Sequence, residues 1–215
     1  MNILITGASR GIGAVIAREL YGGNTITHLG RSECTYADVE YMVDFTLLPD
    51  IEKSIKDIAD KGKNAIPYQG VILNAGINDR AKTQWSIEAI SLHCQINTLA
   101  PVYLIKWLRD YSLLDENCNI IVLGIYAGEM GHSQFVAYAM SKAALKAYVQ
   151  SFAQLMGFYN MNLLYPGQVN TPGNPKEGRA DKNKFKEPEE LIPTIRWMLQ
   201  NTAKMSGRII DLGVK

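Results

Sequence analysis

The sequence predicts an α/β protein built on a doubly wound parallel sheet with helices on both faces. Short apolar runs of strand length alternate along the chain with segments of helix length, which is the pattern of repeated βαβ units. The first run, Asn2–Thr6, leads directly into a glycine-rich stretch and then into a helical pattern. A chain of 215 residues, 47% of them hydrophobic, suits a single domain over residues 1–215 with a core on each side of the sheet.

The apolar runs predict seven parallel strands, at 2–6, 25–30, 41–44, 70–74, 119–124, 160–165 and 208–212. Helices are predicted between them, at 11–22, 50–61, 84–111, 136–157 and 188–200. The last helix starts beside Pro188 and acidic residues, which favour a helix N-terminus. The stretch 171–186 has no hydrophobic period and follows the sixth strand, so we interpret it as a candidate lid over a ligand site.

Charge and cysteine content exclude several classes of protein. The 22 basic and 21 acidic residues nearly cancel, and no basic run indicates a nucleic-acid partner. Three cysteines, Cys34, Cys94 and Cys118, are widely spaced without a CxxC pattern, so neither a disulfide framework nor a metal site is indicated. A strand that starts at Asn2 leaves no room for a signal peptide, and no apolar run approaches the ~20 residues of a membrane span. We therefore expect a cytoplasmic protein without a membrane partner.

The glycine-rich stretch after the first strand has the chemistry of a dinucleotide site. Glycines let the backbone turn tightly and approach a pyrophosphate, while the following helix N-terminus offers free N–H groups and a positive dipole end. The alternative is a glycine-rich turn that closes an ordinary βα unit. The predicted phosphate-binding residues are Gly7, Ser9, Arg10, Gly11, Ile12 and Gly13.

Tyr138 and Lys142 are spaced i and i+4, which places a phenol and an ammonium one above the other on a helix face. A cation that favours the phenolate makes tyrosine a usable acid or base near neutral pH. An isolated pair of this kind is often only an exposed helix pair. Its position after the fifth predicted strand, in a chain that also carries the glycine loop, favours the catalytic interpretation.

Three further motifs lie at strand ends or within a helix. Asn74, Ala75 and Gly76 follow the fourth strand, where they are either a plain turn or a ribose and nicotinamide site. Asn97 lies in an apolar helical stretch just before a proline, where it marks a kink or holds a buried water. The segment 166–172 follows the sixth strand and is otherwise a proline-glycine turn.

In order and spacing these motifs resemble the short-chain dehydrogenase/reductase family, and in particular the branch that includes β-ketoacyl carrier-protein reductases, over essentially the whole chain. The resemblance implies a Rossmann-type sheet, a nicotinamide cofactor and hydride transfer between a carbonyl and an alcohol. It implies that Tyr138 donates or accepts the proton, that Lys142 lowers the tyrosine pKa and holds the nicotinamide ribose, and that Asn97 positions a water. The further cofactor contacts that it implies are Asp44, Asn74, Ala75, Gly76, Pro166, Gly167, Val169 and Thr171.

One position departs from the family pattern. The family has a serine thirteen residues before the tyrosine, where its hydroxyl polarises the substrate carbonyl, and this chain has Ile125 there. Losing one such donor typically costs ~10²–10³ in rate. Tyr126, His132 and Ser133 lie near enough in sequence to replace it, and some family members, dihydropteridine reductases among them, work without this serine. Leu73 is a milder departure that leaves the cofactor site intact.

Charge after the second strand predicts the cofactor. NAD-selective members carry an acidic residue there, whereas this chain has Arg31 and adds Arg10 in the glycine loop. Two guanidinium groups suit the 2′-phosphate of NADP(H), although Glu33 is close, and Asp44 matches the family aspartate that bonds the adenine amine. NADP(H) is therefore favoured over NAD(H).

Two functions remain open at this level. The first is an NADP(H)-dependent oxidoreductase for a small carbonyl or alcohol, and the second is a dinucleotide-binding sensor or scaffold without turnover, which the missing serine favours. Retention of Asn97, Tyr138 and Lys142 favours the enzyme. A homodimer or homotetramer is also expected, from the family and from aromatic residues predicted on the outer faces of the two long helices, Tyr103, Trp107, Tyr148 and Phe152.

Overall fold

Seven parallel strands form one sheet at the centre of the protein. The computed structural model describes residues 1–61, 66–78, 85–125, 135–155, 159–175, 177, 182–201 and 205–213. The strands are β1 Asn2–Thr6, β2 Thr25–Gly30, β3 Val39–Met42, β4 Tyr68–Leu73, β5 Leu114–Leu123, β6 Asn160–Tyr165 and β7 Ile209–Asp211. They lie in the order β3-β2-β1-β4-β5-β6-β7, every pair parallel. This is the doubly wound, Rossmann-type sheet that the sequence predicts.

Helices cover both faces of the sheet. They are α1 Gly11–Leu20, α2 Leu48–Lys61, α3 Ile87–Cys94, α4 Ala100–Asp110, α5 Val136–Leu155 and α6 Ile192–Gln200. Successive side chains of β1 point to opposite faces of the sheet and enter two cores. Ile3 and Ile5 pack in the first core, and Leu4 packs in the second. The first core also holds α1 and α6, and the second holds α2, α4 and α5.

The strands whose bounds were predicted least well from apolar runs begin or end in polar sequence. The bounds of β1, β2 and β6 are confirmed, but β3 lies two residues earlier than predicted and β5 starts at Leu114 rather than Asn119. The first four residues of β5 are Leu-Asp-Glu-Asn, and their polar side chains do not produce a hydrophobic strand pattern. The register of β5 with β4 also shifts between Tyr68 and Gly70.

The helix predicted over 84–111 is interrupted. It begins at Ile87, where the Ser86 hydroxyl caps the Ala89 N–H, and a π-helical turn, Gln95–Leu99, separates α3 from α4. Pro101 cannot donate a backbone hydrogen bond, which removes one α-helical bond just after this turn. The predicted mid-helix break at Asn97 is therefore a π turn.

The last predicted helix also begins differently. A short 3-10 turn, Pro188–Leu191, precedes α6, and a capping box between Glu187 and Glu190 starts it. Pro193 lies in the first turn of α6 and withholds the N–H that would continue an α-helix back through this turn. The prediction of one helix over 188–200 was wrong in this respect.

The expectation of exposed aromatics on the two long helices was also wrong. Phe152 is buried, and Trp107 and Tyr148 are half-buried and pack against the core. Tyr103 is half-buried too, with its ring centroid 5.2 Å from that of Trp107. An amphipathic pattern alone cannot distinguish an aromatic that folds back along its own helix from one that faces solvent.

Candidate active site

A small pocket lies at the carboxyl ends of β1 and β4. These neighbouring strands lie where the connections of the sheet change direction, which is the point at which open α/β sheets bind ligands. The lining residues come from both strand ends, from the loop after β3 and from the broken helix: Thr6, Phe45, Leu73, Ala75, Ile96, Pro101 and Leu104. Its walls are mainly apolar.

The glycine loop between β1 and α1 is packed so tightly that side chains cannot enter it. Gly7 and Gly11 have φ of +67° and +59°, in the region that favours glycine. A Cβ on Gly13 would overlap the Gly7 carbonyl oxygen and lie 2.5 Å from Asn74 Nδ2. Arg10, the residue before α1, gives no side-chain cap to the helix. The first-turn N–H groups of α1 therefore face an approach that no Cβ blocks, as an anion site requires.

The ends of β1 and β4 are tied together by side chains. Thr6 Oγ1 accepts hydrogen bonds from the backbone N–H groups of Asn74 and Ala75, both at 3.0 Å. Asn74 Nδ2 donates in return to the carbonyls of Thr6 and Gly7, at 3.2 and 2.9 Å. Asn74, predicted as a cofactor contact, thus acts here as a strut that fixes the glycine loop.

The segment after β6 closes the site from the other side. A Cβ on Gly11 would lie 3.7 Å from the Thr171 side chain, so Thr171 lies against the glycine loop. Val169 is buried in the core, which leaves only its backbone to face a ligand. The candidate lid is anchored at its described ends, because the Asn170 N–H donates to the Lys186 carbonyl and the Lys186 N–H donates to Gln168.

Asn97, Tyr138 and Lys142 are brought together where the π turn packs against α5. The Asn97 side chain is fully buried, and its Oδ1 accepts from the Ile77 N–H at 2.8 Å. Its Nδ2 donates to the Ile77 carbonyl and to Ser141 Oγ, both at 3.0 Å, and Ser141 Oγ donates to the Tyr138 carbonyl at 2.8 Å. The amide therefore locks the first turn of α5, on which Tyr138 stays partly exposed.

Lys142, one helical turn after Tyr138 on α5, is a buried cation. The residue is 8% exposed, and among the described residues its ammonium makes one hydrogen bond, to the Leu123 carbonyl at 2.9 Å. Burial lowers the pKa of Lys142 to about 8. A Cβ on Gly76 would lie 3.0 Å from Asn97 Oδ1 and 3.7 Å from Lys142 Nζ. The backbone of Gly76 therefore lies close to both groups because the residue has no side chain.

The predicted 2′-phosphate residues lie at the outer end of the same edge. Arg10 and Arg31 are both exposed. Asp44 Oδ1 accepts from the Thr46 N–H at 2.9 Å and from the Thr46 hydroxyl at 2.8 Å. These two hydrogen bonds, and then the Arg31 charge, hold the pKa of the Asp44 carboxyl below its usual value. Asp44 is therefore an anion at neutral pH.

These residues fit a nicotinamide dinucleotide. The test is the start of α1, where Gly11 and Gly13 carry no side chain, together with a buried ammonium that makes one hydrogen bond among the described residues. Within the described part of the chain, no group of three or more His, Cys, Asp or Glu could hold a metal ion. No described helix is both long enough and apolar enough to cross a bilayer.

Sequence reasoning missed residues that act through other residues. Thr6 and Ser141 carry no motif of their own, yet they fix Asn74 and the first turn of α5. Ile125, at the position of the family serine, is partly exposed just after β5. Tyr126, His132 and Ser133, named as replacements for that serine, lie outside the described residues.

Comparisons with known proteins agree with this geometry. The family model described as short chain dehydrogenase matches residues 1–182. The uncharacterised oxidoreductase YmfI of Bacillus subtilis is 27% identical over 239 residues, covering 97% of this chain and 96% of that protein. The uncharacterised oxidoreductase TDA5 of Saccharomyces cerevisiae is 29% identical over 182 residues, 79% of this chain and 55% of TDA5, so the chain spans about half the length of that relative.

Solved structures show the same fold. A short chain dehydrogenase family protein from Francisella tularensis superposes with a TM-score of 0.86 at 24% identity, covering 99% of this chain and 97% of that one. A short chain dehydrogenase from Burkholderia cenocepacia, solved in complex with NADP, gives a TM-score of 0.85 at 20% identity, covering 98% and 96%.

Proposed function

Because the chain belongs to the short-chain dehydrogenase family, we propose that it is an NADP(H)-dependent oxidoreductase that interconverts a small carbonyl compound and its alcohol. The observation that carries the proposal is the buried Lys142 ammonium, one helical turn from the accessible Tyr138 and beside the backbone opening at Gly76. A buried cation one helical turn from a partly exposed phenol is typical of an acid/base site.

Proton transfer is the task of the chain's own residues. The bound nicotinamide supplies or accepts the hydride. The Tyr138 hydroxyl gives its proton to the substrate oxygen in reduction and takes it back in oxidation. With a pKa of about 8, Lys142 is mostly an ammonium at neutral pH, and its charge favours the phenolate form of Tyr138. The Leu123 carbonyl fixes the ammonium in place.

Asn97 is proposed to hold the water that returns protons to Lys142. Both N–H groups of its side chain are already used by Ile77 and Ser141. Its backbone carbonyl is the better acceptor for a water, since Pro101, four residues on, has no N–H to donate to it. This assigns the water to the backbone of the π turn and leaves the side chain to hold the helices together.

The cofactor is proposed to lie along the carboxyl edge of the sheet. Its pyrophosphate would meet Gly7, Ser9, Gly11, Ile12 and Gly13 at the start of α1, and Arg10 would reach the 2′-phosphate. Its adenosine end would lie by Arg31 and Asp44, its nicotinamide end by Ala75, Gly76, Pro166, Gly167, Val169 and Thr171. Two exposed arginines and the NADP complex of the Burkholderia protein support NADP(H) over NAD(H).

The binding-only alternative lacks an account of the pairing of Lys142 with Tyr138. A sensor or scaffold could use Lys142 to hold the ribose, but it has no need to pair this buried ammonium with the acid/base phenol of Tyr138. Ile125 leaves the substrate carbonyl without the family's serine donor. The proposed substrate is therefore a carbonyl that needs less polarisation, or one that receives it from a group outside the described residues.

The test is NADPH oxidation with a panel of small aldehydes and ketones, followed by absorbance of the reduced nicotinamide. Wild type should reduce at least one compound, and Tyr138→Phe should lose nearly all turnover while it binds NADPH as before, since only a hydroxyl that acts in the transition state is removed. Tyr148→Phe, on the same helix and half-buried against the core, is the matched control. Wild-type turnover in Tyr138→Phe would reject the proposal.

A further inference from the structure

A buried histidine lies against the proposed acid/base tyrosine. His93 is on α3, and it is 1% exposed. Its ring meets the Tyr138 ring edge to face, with centroids 6.4 Å apart and planes at 65°. Aromatic pairs prefer this arrangement, and it restricts how either ring can rotate.

The His93 ring is itself anchored. Its Nδ1 lies 2.8 Å from the Ala89 carbonyl, one turn earlier on the same helix. Because a carbonyl can only accept, Nδ1 carries the proton and the tautomer of the neutral ring is fixed. A leucine or phenylalanine would fill this position without any polar group to satisfy.

The same two helices hold the backbone of Tyr138. His93 lies on α3, and Asn97 lies four residues later within the π turn; both contact α5 near Tyr138. Asn97 reaches the Tyr138 carbonyl through Ser141 Oγ, and Thr98 Oγ1 donates to the Ser141 carbonyl at 2.7 Å. Hydrogen bonds thus fix the Tyr138 backbone, and His93 contacts its side chain.

We propose that His93 is the positioning residue for Tyr138, its anchored ring holding the phenol in the orientation from which the hydroxyl transfers a proton. The inference rests on the proposed role of Tyr138 in the reaction. His93 acts through the tyrosine ring. Its loss should therefore lower kcat and leave cofactor affinity unchanged.

The first experiment reads ring orientation without any activity. Protein labelled with 3-fluorotyrosine is examined by ¹⁹F NMR without cofactor, and the Tyr138 signal among the 11 tyrosines is assigned by its loss in Tyr138→Phe. In His93→Leu that signal should move towards the position of a solvent-exposed tyrosine. Ile87→Ala, at a more exposed position on the same helix, is the control and should leave it unmoved.

The second experiment measures turnover and NADPH affinity of the same variants. His93→Leu should lower kcat by about tenfold, the size that one aromatic contact supports, with the Kd of NADPH within twofold of wild type. His93→Phe keeps a ring of similar size but loses the anchor to Ala89, so it should fold well and lose about threefold in kcat. Ile87→Ala should behave as wild type.

The proposal is overturned if the Tyr138 signal stays unmoved in His93→Leu, if kcat stays at the wild-type level, or if His93→Phe loses as much as His93→Leu. Failure of the proposed function looks different, since Tyr138→Phe itself would then keep turnover. An inactive Tyr138→Phe beside a fully active His93→Leu rejects the positioning role alone.

Discussion

The fold disfavours the charged form of Lys142, a residue of the candidate site. Its pKa drops from 10.5 to about 8 because the ammonium is buried, which corresponds to about 3 kcal/mol against the charged form. Between pH 8 and 10.5 the unfolded chain keeps a proton that the folded chain has released, so stability rises with pH across that window. Below pH 8 both states are charged and the full cost remains.

Lys142→Met should therefore stabilise the cofactor-free protein at pH 7 while it abolishes turnover. We expect a gain of about 1–2 kcal/mol in the free energy of unfolding, less than the full cost because the Leu123 carbonyl loses its donor. The rise in stability between pH 8 and 10.5 should disappear. Urea unfolding at several pH values measures both effects, with Lys146→Met, one turn later on α5, as the control. A variant less stable than wild type at pH 7 would contradict this cost.

Arg31 is expected to set the choice of cofactor. It is exposed, and its charge reaches Asp44 at the end of the sheet where the 2′-phosphate is predicted. A charge-assisted hydrogen bond is worth ~1.5–3 kcal/mol, so Arg31→Ala should reduce the preference for NADPH over NADH by at least about tenfold. Isothermal titration with both cofactors measures it, and Arg208→Ala, an exposed arginine elsewhere, should change neither affinity. An unchanged preference in Arg31→Ala would show that this guanidinium does not contact the phosphate.

The sequence predicted the short motifs of the site better than it predicted the side-chain contacts between distant elements. The glycine loop, the Tyr138–Lys142 pair and the Asn74 triplet are short-range features whose chemistry can be read from spacing. His93, Thr6 and Ser141 act across elements far apart in sequence, and each residue type is equally common in roles without function. Their positions depend on which helices pack together, which no local pattern encodes.

At the scale of elements, the junction of β1 and α1 depends on the absence of a side chain. Alanine is normally favoured over glycine inside a helix by about 1 kcal/mol. At Gly13 a Cβ would instead overlap the Gly7 carbonyl and crowd Asn74, the strut between β1 and β4. Helix propensity and close packing therefore oppose each other here, and packing decides.

Gly13→Ala should thus lose about 2 kcal/mol of stability and at least about tenfold in NADPH affinity, because the loop must shift to admit the methyl group. Gly23→Ala is the control, since a Cβ there meets nothing within 4 Å. Urea unfolding and NADPH fluorescence titration give the two readouts. A Gly13→Ala protein that binds NADPH like wild type would contradict the tight packing of this loop.

The broken helix is the element that sequence described least well. Hydrophobic periodicity continues through 84–111, so it predicts one helix, whereas the structure inserts a π turn at Gln95–Leu99. The cause lies partly in the backbone at Pro101 and partly in bonds from Asn97 to Ile77 and Ser141 in other parts of the chain. A proline before a helical stretch is visible in sequence, but its tertiary partners are not.

For the whole molecule, the parallel pairing of the strands is confirmed, because continuous apolar strands require helices on both faces. Surface exposure was harder to predict. The aromatics expected to meet a partner fold onto the core, and the exposed apolar side chains on the helical face are instead Leu92, Leu99 and Met140.

We expect this face, on α3, the π turn and α5, to join two copies of the chain in a homodimer or in half of a homotetramer. Light scattering after size exclusion at micromolar protein should give a multiple of 23.9 kDa. Leu99→Asp should shift the mass to the monomer, whereas Ile66→Asp, an exposed apolar position before β4, should not. A monomeric wild type would refute the dimer, and a dimeric Leu99→Asp protein would move it to another face.

The central claim, hydride transfer at this site, is tested most directly by isotope transfer. Each C4-deuterated stereoisomer of NADPH is incubated with the enzyme and a carbonyl compound that it reduces, and the alcohol is examined by NMR and mass spectrometry. One isomer should pass its deuterium to the carbinol carbon, and the other should leave it on the oxidised nicotinamide, because the cofactor ring is held with one face towards the substrate. Bound NADPH with no deuterium in any product from either isomer would contradict the claim and favour a binding protein without turnover.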